Sequence, residues 1–275
     1  MRTLYVSDLD GTLLRPDGRV SAYSLDVLNR LIEAGVLFSY ATARSLSSAS
    51  VVTEGLRVRV PVIVYNGAHI VDARTGERLA SETFSGEARA YVQGLLRAHG
   101  VSPIVYAFVD GRESVSWDAE QVNAGKRFYL DSRRGDRRLR RLEGADGLFD
   151  GEVFYYTCIG TSSELRPLYG ALAGDARYTC TLQQELYRPE YWLEIMPRRA
   201  TKADALAKLR ALLHCDRAVV FGDAVNDMPL FRAADACYAV KNATDALKRM
   251  ATGIIDGNGG DGVARWLARH ARAGE

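Results

Sequence analysis

The sequence predicts an α/β protein with a doubly wound, mostly parallel core and an inserted α+β domain. Apolar strand patterns alternate with amphipathic helix patterns through about the first eighty residues. The same alternation returns after about residue 195. The segment between them contains short, partly alternating apolar stretches, which are typical of half-exposed strands in a smaller α+β unit.

The first part of the chain alternates strand and helix without interruption. The predicted elements are, in order, a strand over 2–8, a helix over 21–35, a strand over 36–42, a helix over 45–56 and a strand over 61–68. Ser21 suits the N-cap of the first helix, and Gly35 follows its end. Because the strands are nearly continuous apolar runs, we expect a parallel sheet that is covered by helices on both faces.

The last part of the chain repeats this alternation. We predict a helix over 201–214, a strand over 218–223, a helix over 227–234, short strands over 237–240 and 253–256, and a closing helix over 262–271. We therefore assign residues 1–80 and 193–275 to a Rossmann-like catalytic core. Residues 81–192 form the inserted domain, which we call the cap.

Composition excludes several classes of protein. The chain has 275 residues, 47% of them hydrophobic and 25% charged, with a formal net charge of +2, so no overall field favours nucleic acid or a membrane. The four cysteines are far apart and form no CxxC pair, which argues against a zinc site or a disulfide framework. No apolar stretch approaches the length of a membrane span, and no signal-peptide pattern is present. We expect a cytoplasmic protein, a monomer or weak homodimer.

One segment of the cap is strongly basic. Residues 125–144 carry eight Lys or Arg against three acids, concentrated in 126–141. Such a run usually forms a solvated face, although a rim that attracts anionic substrates is the alternative. A protein that only binds nucleic acid through this stretch would show steeply salt-dependent association.

The polar residues that follow the predicted core strands suggest a common site. Ligands bind outside the carboxyl ends of the strands in an open parallel sheet. The residues at those ends are Asp8, Asp10 and Thr12; Thr42, Ala43 and Arg44; Asn66 and Gly67; and Asp223, Asn226 and Asp227. Lys202 begins the helix after the cap, where Thr201 and Asp204 have capping-box spacing.

This set of residues suits phosphate chemistry with a divalent cation. Side chains two apart in a strand share a face, so Asp8 and Asp10 should crowd together, and a cation would relieve their repulsion. Asp8, the Asp10 region and Asp223 offer hard oxygens without His or Cys, which suits Mg²⁺. The remaining phosphate oxygens would contact Thr42, Asn226, Lys202 and nearby backbone N–H groups. One aspartate can then attack phosphorus while its neighbour two residues on shuttles a proton.

The motifs DLDGT, Thr42, Lys202 and GDAVND, in this order, closely resemble the four motifs of the haloacid dehalogenase-like (HAD) phosphohydrolases. NGAHI, WLEIMPRRATKADAL, NATDALKRMA and DGVARWL resemble the Cof-type branch, whose large α/β cap (subclass IIB) is inserted between the second and third motifs. The resemblance implies a Mg²⁺-dependent phosphatase of small phosphorylated metabolites, with sugar phosphates the first expectation. A phosphomutase of the same fold is the alternative, and phosphate release without a bisphosphate requirement would decide for hydrolysis.

The resemblance also implies a role for each site residue. Asp8 is the nucleophile that forms an aspartyl-phosphate, and Asp10 is the general acid/base that also offers Mg²⁺ its backbone carbonyl. Asp223 is a metal ligand, and Asp227 supports the direct ligands from behind or acts on the metal through water. The phosphate-binding residues are Thr42, Ala43, Lys202 and Asn226. Ala43 and Ala203 stand where this family often has Gly, but Ala retains the backbone N–H if neither position needs a positive φ.

A second class of function arises from Gly257–Gly262, which contains G-x-G-x-x-G after a predicted strand and before a helix. This pattern would normally suggest a dinucleotide-binding oxidoreductase. Only thirteen residues follow Gly262, so the rest of the βαβ unit and its acidic residue would lack room.

Overall fold

The computed structural model describes residues 1–184 and 188–272. The elements of the first 81 residues are β1 (Thr3–Ser7), α1 (Ala22–Glu33), β2 (Leu37–Tyr40), α2 (Leu46–Val52), β3 (Val62–Val64), β4 (His69–Val71) and β5 (Arg78–Ser81). They are followed by α3 (Gly86–Ala98), β6 (Ile104–Val109), β7 (Arg112–Asp118), α4 (Ala124–Asp131), β8 (Leu139–Leu142), β9 (Glu152–Gly160), α5 (Ser162–Leu172), β10 (Tyr178–Gln184) and β11 (Tyr191–Pro197). The last are α6 (Lys202–Leu212), β12 (Arg217–Gly222), α7 (Met228–Ala233), β13 (Ala236–Val240), α8 (Asp245–Met250), β14 (Gly253–Ile255) and α9 (Gly262–His270).

The chain divides into two compact units. The first unit consists of Met1–Ser81 and the described part of Ala200–Glu275, and the second consists of Glu82–Arg199. β11 therefore belongs to the second unit over its whole length. No helix in the two described ranges is long and apolar enough to cross a membrane.

The first unit contains a five-stranded sheet in the order β14-β13-β12-β1-β2. All of its neighbouring strands are parallel. β3 differs from expectation, because only a single parallel bridge, between Ala41 and Ile63, joins it to the end of β2. β3 pairs instead with β4, which pairs with β5, in a small antiparallel sheet. The predicted α/β class with a mostly parallel sheet is confirmed.

The central strands are buried on both faces, as the continuous apolar runs predicted. The side chains of Leu4, Tyr5 and Val6 in β1 point alternately to the two faces of the sheet, yet each residue is at most 5% exposed.

The predicted N-cap of α1 is also present. The Ser21 hydroxyl accepts a hydrogen bond from the Ser24 N–H at 2.9 Å, which caps α1.

The register of the sheet aligns the ends of β1 and β12. Ser7 pairs with Phe221, and the Asp8 N–H donates to the Phe221 carbonyl at 2.9 Å. The chain leaves β1 toward β2 on one side, whereas β12, β13 and β14 extend the sheet on the other. Asp8 and the residues after Phe221 therefore lie at a point where the strand order reverses, which is where α/β sheets bind ligands.

The second unit contains a six-stranded sheet in the order β10-β11-β9-β6-β7-β8. Its pairs are antiparallel except for β7 with β8. One apolar cluster buries side chains from α3, α5 and the central strands, among them Val92, Leu168, Tyr156 and Leu193. The unit therefore has a hydrophobic core of its own.

Four of the eight basic side chains in the basic stretch form ion pairs with acids. Arg138 contacts Glu113 and Asp136, each at 2.6 Å. Arg134, Arg140 and Arg141 also form ion pairs with acids of the second unit. Local charge compensation thus reduces the field that this stretch presents.

The glycine pattern at Gly257–Gly262 has a packing explanation. A side chain at Gly262 would place its Cβ 1.8 Å from the Asp256 carbonyl oxygen, so only glycine fits there. The Asp261 carboxylate accepts from the hydroxyls of Ser21 and Ser24 at 2.6 and 3.1 Å. These contacts attach the start of α9 to α1.

Candidate active site

Asp8 lies immediately after β1, and its side chain is 7% exposed. The backbone remains extended at Asp8, with φ −62° and ψ 160°. It then turns sharply over Leu9–Leu13, where Gly11 has φ +78°. Glycine adopts this left-handed conformation without steric cost, so Gly11 suits the turn that follows Asp8.

Lys202, the first residue of α6, joins two of the predicted acids. Its ammonium donates to Asp8 Oδ1 at 2.6 Å and to Asp227 Oδ1 at 2.7 Å. Lys202 is 2% exposed and Asp227 is fully buried. Thr201 is the N-cap of α6, as predicted, since its hydroxyl accepts a hydrogen bond from the Asp204 N–H at 3.0 Å.

Asp227 is held by its own turn as well as by Lys202. Its Oδ2 accepts from the N–H groups of Asp223 and Ala224 at 3.0 and 3.2 Å. This close approach depends on Gly222, because a Cβ there would lie 2.7 Å from Asp227 Oδ2. The glycine in GDAVND thus makes room for the last aspartate of the same motif.

Asp223 is attached to the turn that follows Asp8. The Thr12 hydroxyl donates to Asp223 Oδ1 at 2.8 Å. A Cβ at Gly11 would lie 2.4 Å from Asp223 Oδ2, so a side chain at that position would displace the carboxylate. Asn242 also contacts this turn, since its Nδ2 donates a hydrogen bond to the Gly11 carbonyl at 2.8 Å.

The expectation that Asp8 and Asp10 share the end of one strand is wrong. β1 ends at Ser7, so Asp8 and Asp10 do not belong to one strand. Both oxygens of Asp10 accept instead from Arg44: Nε lies 2.8 Å from Oδ2, and Nη2 lies 2.7 Å from Oδ1. The carboxylates that surround Asp8 are those of Asp223 and Asp227, and one oxygen from each of the three lies within 4.8 Å of the others.

The three remaining predicted residues differ in burial. Thr42 is fully buried, and its hydroxyl accepts from the Arg44 N–H at 3.1 Å, so Arg44 touches both Thr42 and Asp10. Ala43 and Asn226 are exposed. Within the described residues, no hydrogen bond joins the Asn226 side chain to the other site residues. Ala43 and Ala203 do not have positive φ, so neither position requires glycine.

Burial and charge shift the pKa values of this cluster. Burial raises the pKa of Asp8 to about 8, because Lys202 offsets only part of the desolvation and the carboxylates of Asp227 and Asp223 add to it. Burial likewise raises the pKa of Asp223 to about 6, although the Thr12 hydrogen bond opposes the shift. Burial alone would lower the pKa of Lys202, but Asp8 and Asp227 raise it above its ordinary value. Lys202 is therefore an ammonium at neutral pH.

The donor set fits a hard divalent cation. Three carboxylates lie around one ammonium, which leaves excess negative charge in a mostly buried space. The oxygens come from Asp8, Asp223 and Asp227, without a His or Cys among the described residues of the cluster. Hard oxygen ligands of this kind suit Mg²⁺, which also retains several waters.

Sequence reasoning did not assign three residues of this site. Thr12 and Arg44 lie inside motifs that were recognised, and their positions at strand ends are a signal that could have identified them. Asn242 is the first residue of the recognised segment NATDALKRMA, but its contact with the Gly11 carbonyl joins residues 231 positions apart, so its role could not be read from the sequence.

Comparison with known proteins identifies relatives over almost the whole chain. A family model for haloacid dehalogenase-like hydrolases matches residues 5–267. The chain is 26% identical to a 5-amino-6-(5-phospho-D-ribitylamino)uracil phosphatase of Bacillus subtilis, covering 94% of this chain and 95% of that protein. It is 25% identical to a phosphoglycolate phosphatase of Methanopyrus kandleri, covering 98% and 97% of the two chains.

Solved structures share the fold. A haloacid dehalogenase-like hydrolase from Bacteroides thetaiotaomicron superimposes with a TM-score of 0.78 and 23% identity, covering 98% of this chain and 99% of that one. The same two-part architecture is therefore present in proteins of low sequence identity.

Proposed function

The chain belongs to the haloacid dehalogenase-like hydrolase family, and we propose that it is a Mg²⁺-dependent phosphatase of small phosphorylated metabolites, with sugar phosphates the first class to test. The observation that carries the proposal is the buried cluster in which Lys202 contacts Asp8 at 2.6 Å and Asp227 at 2.7 Å, beside Asp223. The relatives support it, since the two described above are phosphatases of different small phosphorylated compounds.

Asp8 is the nucleophile of the proposed reaction. Its carboxylate attacks phosphorus, and the bond from phosphorus to the leaving oxygen breaks as the aspartyl-phosphate forms. Water then attacks this phosphorus, which returns the Asp8 carboxylate and releases inorganic phosphate. The hydrogen bond from Lys202 to Asp8 Oδ1 holds the carboxylate in one orientation through both steps.

Asp10 is the proposed proton carrier. It donates a proton to the departing alcohol and takes one from the attacking water, so that protons balance over the cycle. Arg44 donates one hydrogen bond to each Asp10 oxygen, so the second lone pair of either oxygen can carry the proton.

The phosphate oxygens would contact Lys202, Thr42, the Ala43 N–H and Asn226. Asp8, Asp223 and the Asp10 backbone carbonyl would hold Mg²⁺, which would neutralise the crowded carboxylates and attract the phosphate. Asp227 is better suited to act through water, since Lys202 and the N–H groups of Asp223 and Ala224 already occupy its oxygens.

Phosphate release from a panel of phosphorylated metabolites, with Mg²⁺ present and no bisphosphate added, tests the proposal. We expect turnover of sugar monophosphates and of an aryl phosphate. Removal of Mg²⁺ with a chelator should abolish phosphate release, and addition of excess Mg²⁺ should restore it. Activity that depends on a bisphosphate would indicate a phosphomutase instead.

Asp8→Asn provides the decisive variant. It retains the shape of the side chain and an acceptor for Lys202 but is a poor nucleophile, so turnover should fall by at least about a thousandfold while the protein remains folded. The matched control is Asp146→Asn, at an exposed position in the second unit, which should leave turnover unchanged. Full activity in Asp8→Asn would refute the assignment.

A further inference from the structure

A cavity of about 400 Å³ is lined by residues of the second unit, whereas the aspartate cluster consists of residues of the first unit. Its wall includes Ser102, just before β6, Glu120, just after β7, and Gly160 at the end of β9. Because these strands are antiparallel, all three positions are at the same end of the sheet. The volume falls within the roughly 300–1,000 Å³ of small-molecule sites in proteins.

Lys126 places a cation in the wall of this cavity, although it is only 4% exposed. It lies in the first turn of α4, where its N–H donates to the Asn123 side chain at 2.9 Å. Its ammonium donates to the Gln121 carbonyl at 2.7 Å. Among the residues that the structure describes, this is the only hydrogen bond of the ammonium, and it forms no ion pair. Two of its three N–H donors thus have no protein acceptor there.

The acids nearest to Lys126 have other donors. Asp118 Oδ1 accepts from the N–H groups of Glu120 and Gly144 at 2.9 and 3.2 Å. Glu164 Oε2 accepts from the N–H and the hydroxyl of Thr161 at 2.6 and 2.9 Å, which completes the capping box of α5. In the described part of the chain, neither acid forms an ion pair with Lys126, so their negative charges stabilise its ammonium only from a distance. Burial accordingly lowers the pKa of the ammonium, while Cys158, Asp118 and Glu164 oppose the shift.

Ser102 gives a second, independent indication of a ligand. Its hydroxyl oxygen is buried in the wall of the same cavity, and no hydrogen bond to it occurs within residues 1–184 and 188–272. Buried polar groups in native proteins nearly always have partners, so an orphan hydroxyl and a partly satisfied ammonium at one cavity indicate a missing acceptor.

We propose that this cavity binds a small monocarboxylate that also carries hydroxyl or amino groups. The carboxylate would accept from the Lys126 ammonium and the Ser102 hydroxyl. Glu120 and Glu164 belong to the same wall, so a phosphate dianion would be repelled, whereas hydroxyl or amino groups could donate to them. The proposal uses none of the residues of the proposed phosphatase chemistry and does not depend on it.

Thermal unfolding without Mg²⁺, at constant ionic strength, tests the proposal. The probes are gluconate, glycerate and L-serine, and their matched compounds without the carboxylate are sorbitol, glycerol and ethanolamine. We expect at least one of the three carboxylates to raise the melting temperature in a saturable manner, and its matched compound to have no such effect. Lys126→Met should weaken the apparent affinity by about tenfold or more, because a charge-assisted hydrogen bond is lost.

Arg127→Met is the matched control, since Arg127 is the next residue of α4 and is exposed. It removes the same charge from the same helix and should leave carboxylate binding unchanged. Turnover of an aryl phosphate by Lys126→Met should equal that of the wild type, which confirms that the variant is folded. If Lys126→Met does not fold, the same thermal-unfolding test is made with Ser102→Ala. Crystals of the wild type are also soaked in each probe.

Electron density for a probe carboxylate beside Lys126 would support the proposal. Three results would overturn it: no stabilisation by any of the carboxylates, equal stabilisation of the wild type and Lys126→Met, or density for water or chloride only.

Discussion

Arg44 and Asp10 form a bidentate ion pair, with two nitrogen–oxygen distances of 2.8 and 2.7 Å. Arg44 also donates from its backbone to the Thr42 hydroxyl at 3.1 Å and from Nη1 to the Ser48 hydroxyl at 3.0 Å. Arg44 thus orients Asp10, the proposed proton carrier. Arg44 follows the same strand end as Thr42, a proposed phosphate-binding residue. This pairing gives Asp10 a cationic partner of its own, while Lys202 pairs with Asp8 and Asp227.

The first prediction concerns the variant Arg44→Met. Without the guanidinium, Asp10 loses its orientation, and we expect kcat to fall by about tenfold for an alkyl phosphate, a fraction of what general acid catalysis contributes. The loss should be much smaller for p-nitrophenyl phosphate, whose leaving group departs without a proton. Arg44→Lys should show a similar loss, since an ammonium cannot donate two parallel hydrogen bonds to the Asp10 carboxylate as a guanidinium does. Equal losses for both substrates would contradict a role through Asp10.

The second prediction concerns the buried ammonium of Lys202. Lys202→Met leaves the carboxylates of Asp8 and Asp227 without their cation in a buried space. We expect the free energy of unfolding to fall by about 3–5 kcal/mol, measured by urea denaturation without Mg²⁺. Lys248→Met in α8 is the control and should change it by less than about 0.5 kcal/mol. A similar value for the two variants would show that the Lys202 pairs contribute little.

The third prediction concerns Gly222, whose hydrogen faces Asp227. In Gly222→Ala the new methyl would lie 2.7 Å from Asp227 Oδ2, so the carboxylate must move away from the N–H groups of Asp223 and Ala224. We expect a loss of about 1–3 kcal/mol in the free energy of unfolding and a reduced turnover of aryl phosphate. Gly170→Ala in α5 is the matched control, because nothing lies within 4 Å of its added Cβ. That variant should be neutral or slightly stabilised, since alanine favours helix more than glycine does.

The fourth prediction concerns the pH dependence of stability at His69 in β4. Burial, together with the nearby charge of Arg78, lowers the pKa of His69 from 6.5 to about 3 in the folded protein. The unfolded chain therefore binds one proton more between these values, and stability falls as the pH drops below about 6.5. At pH 5 the loss from this residue should approach about 2 kcal/mol.

His69→Gln removes this titration and keeps a polar side chain beside the Ser81 hydroxyl, which is 3.1 Å from His69 Nδ1. Urea denaturation of the wild type and the variant from pH 7 to pH 5 measures the difference in slope. Parallel curves for the two proteins would mean that His69 titrates with the same pKa in the folded and unfolded states, which would contradict the prediction.

Patterns that are local in the chain already determined much of this protein. The apolar strands and the capped helices predict a parallel sheet, because periodicity and capping depend on neighbouring residues only. The polar residues at the strand ends identified Asp8, Asp223, Asp227 and Lys202 as members of one cluster, since parallel strands end at a common edge.

The tertiary structure alone decided which charges are neighbours. The chain leaves β1 after Ser7 and turns over Leu9–Leu13; Asp10 in this turn pairs with Arg44, while Asp8 lies beside Asp223 and Asp227. Such pairings depend on strand order, register and backbone direction, which bring together residues about two hundred positions apart, as Lys202 and Asp8 are. The cavity beside Lys126 has the same origin, because its wall combines loops that no local pattern connects.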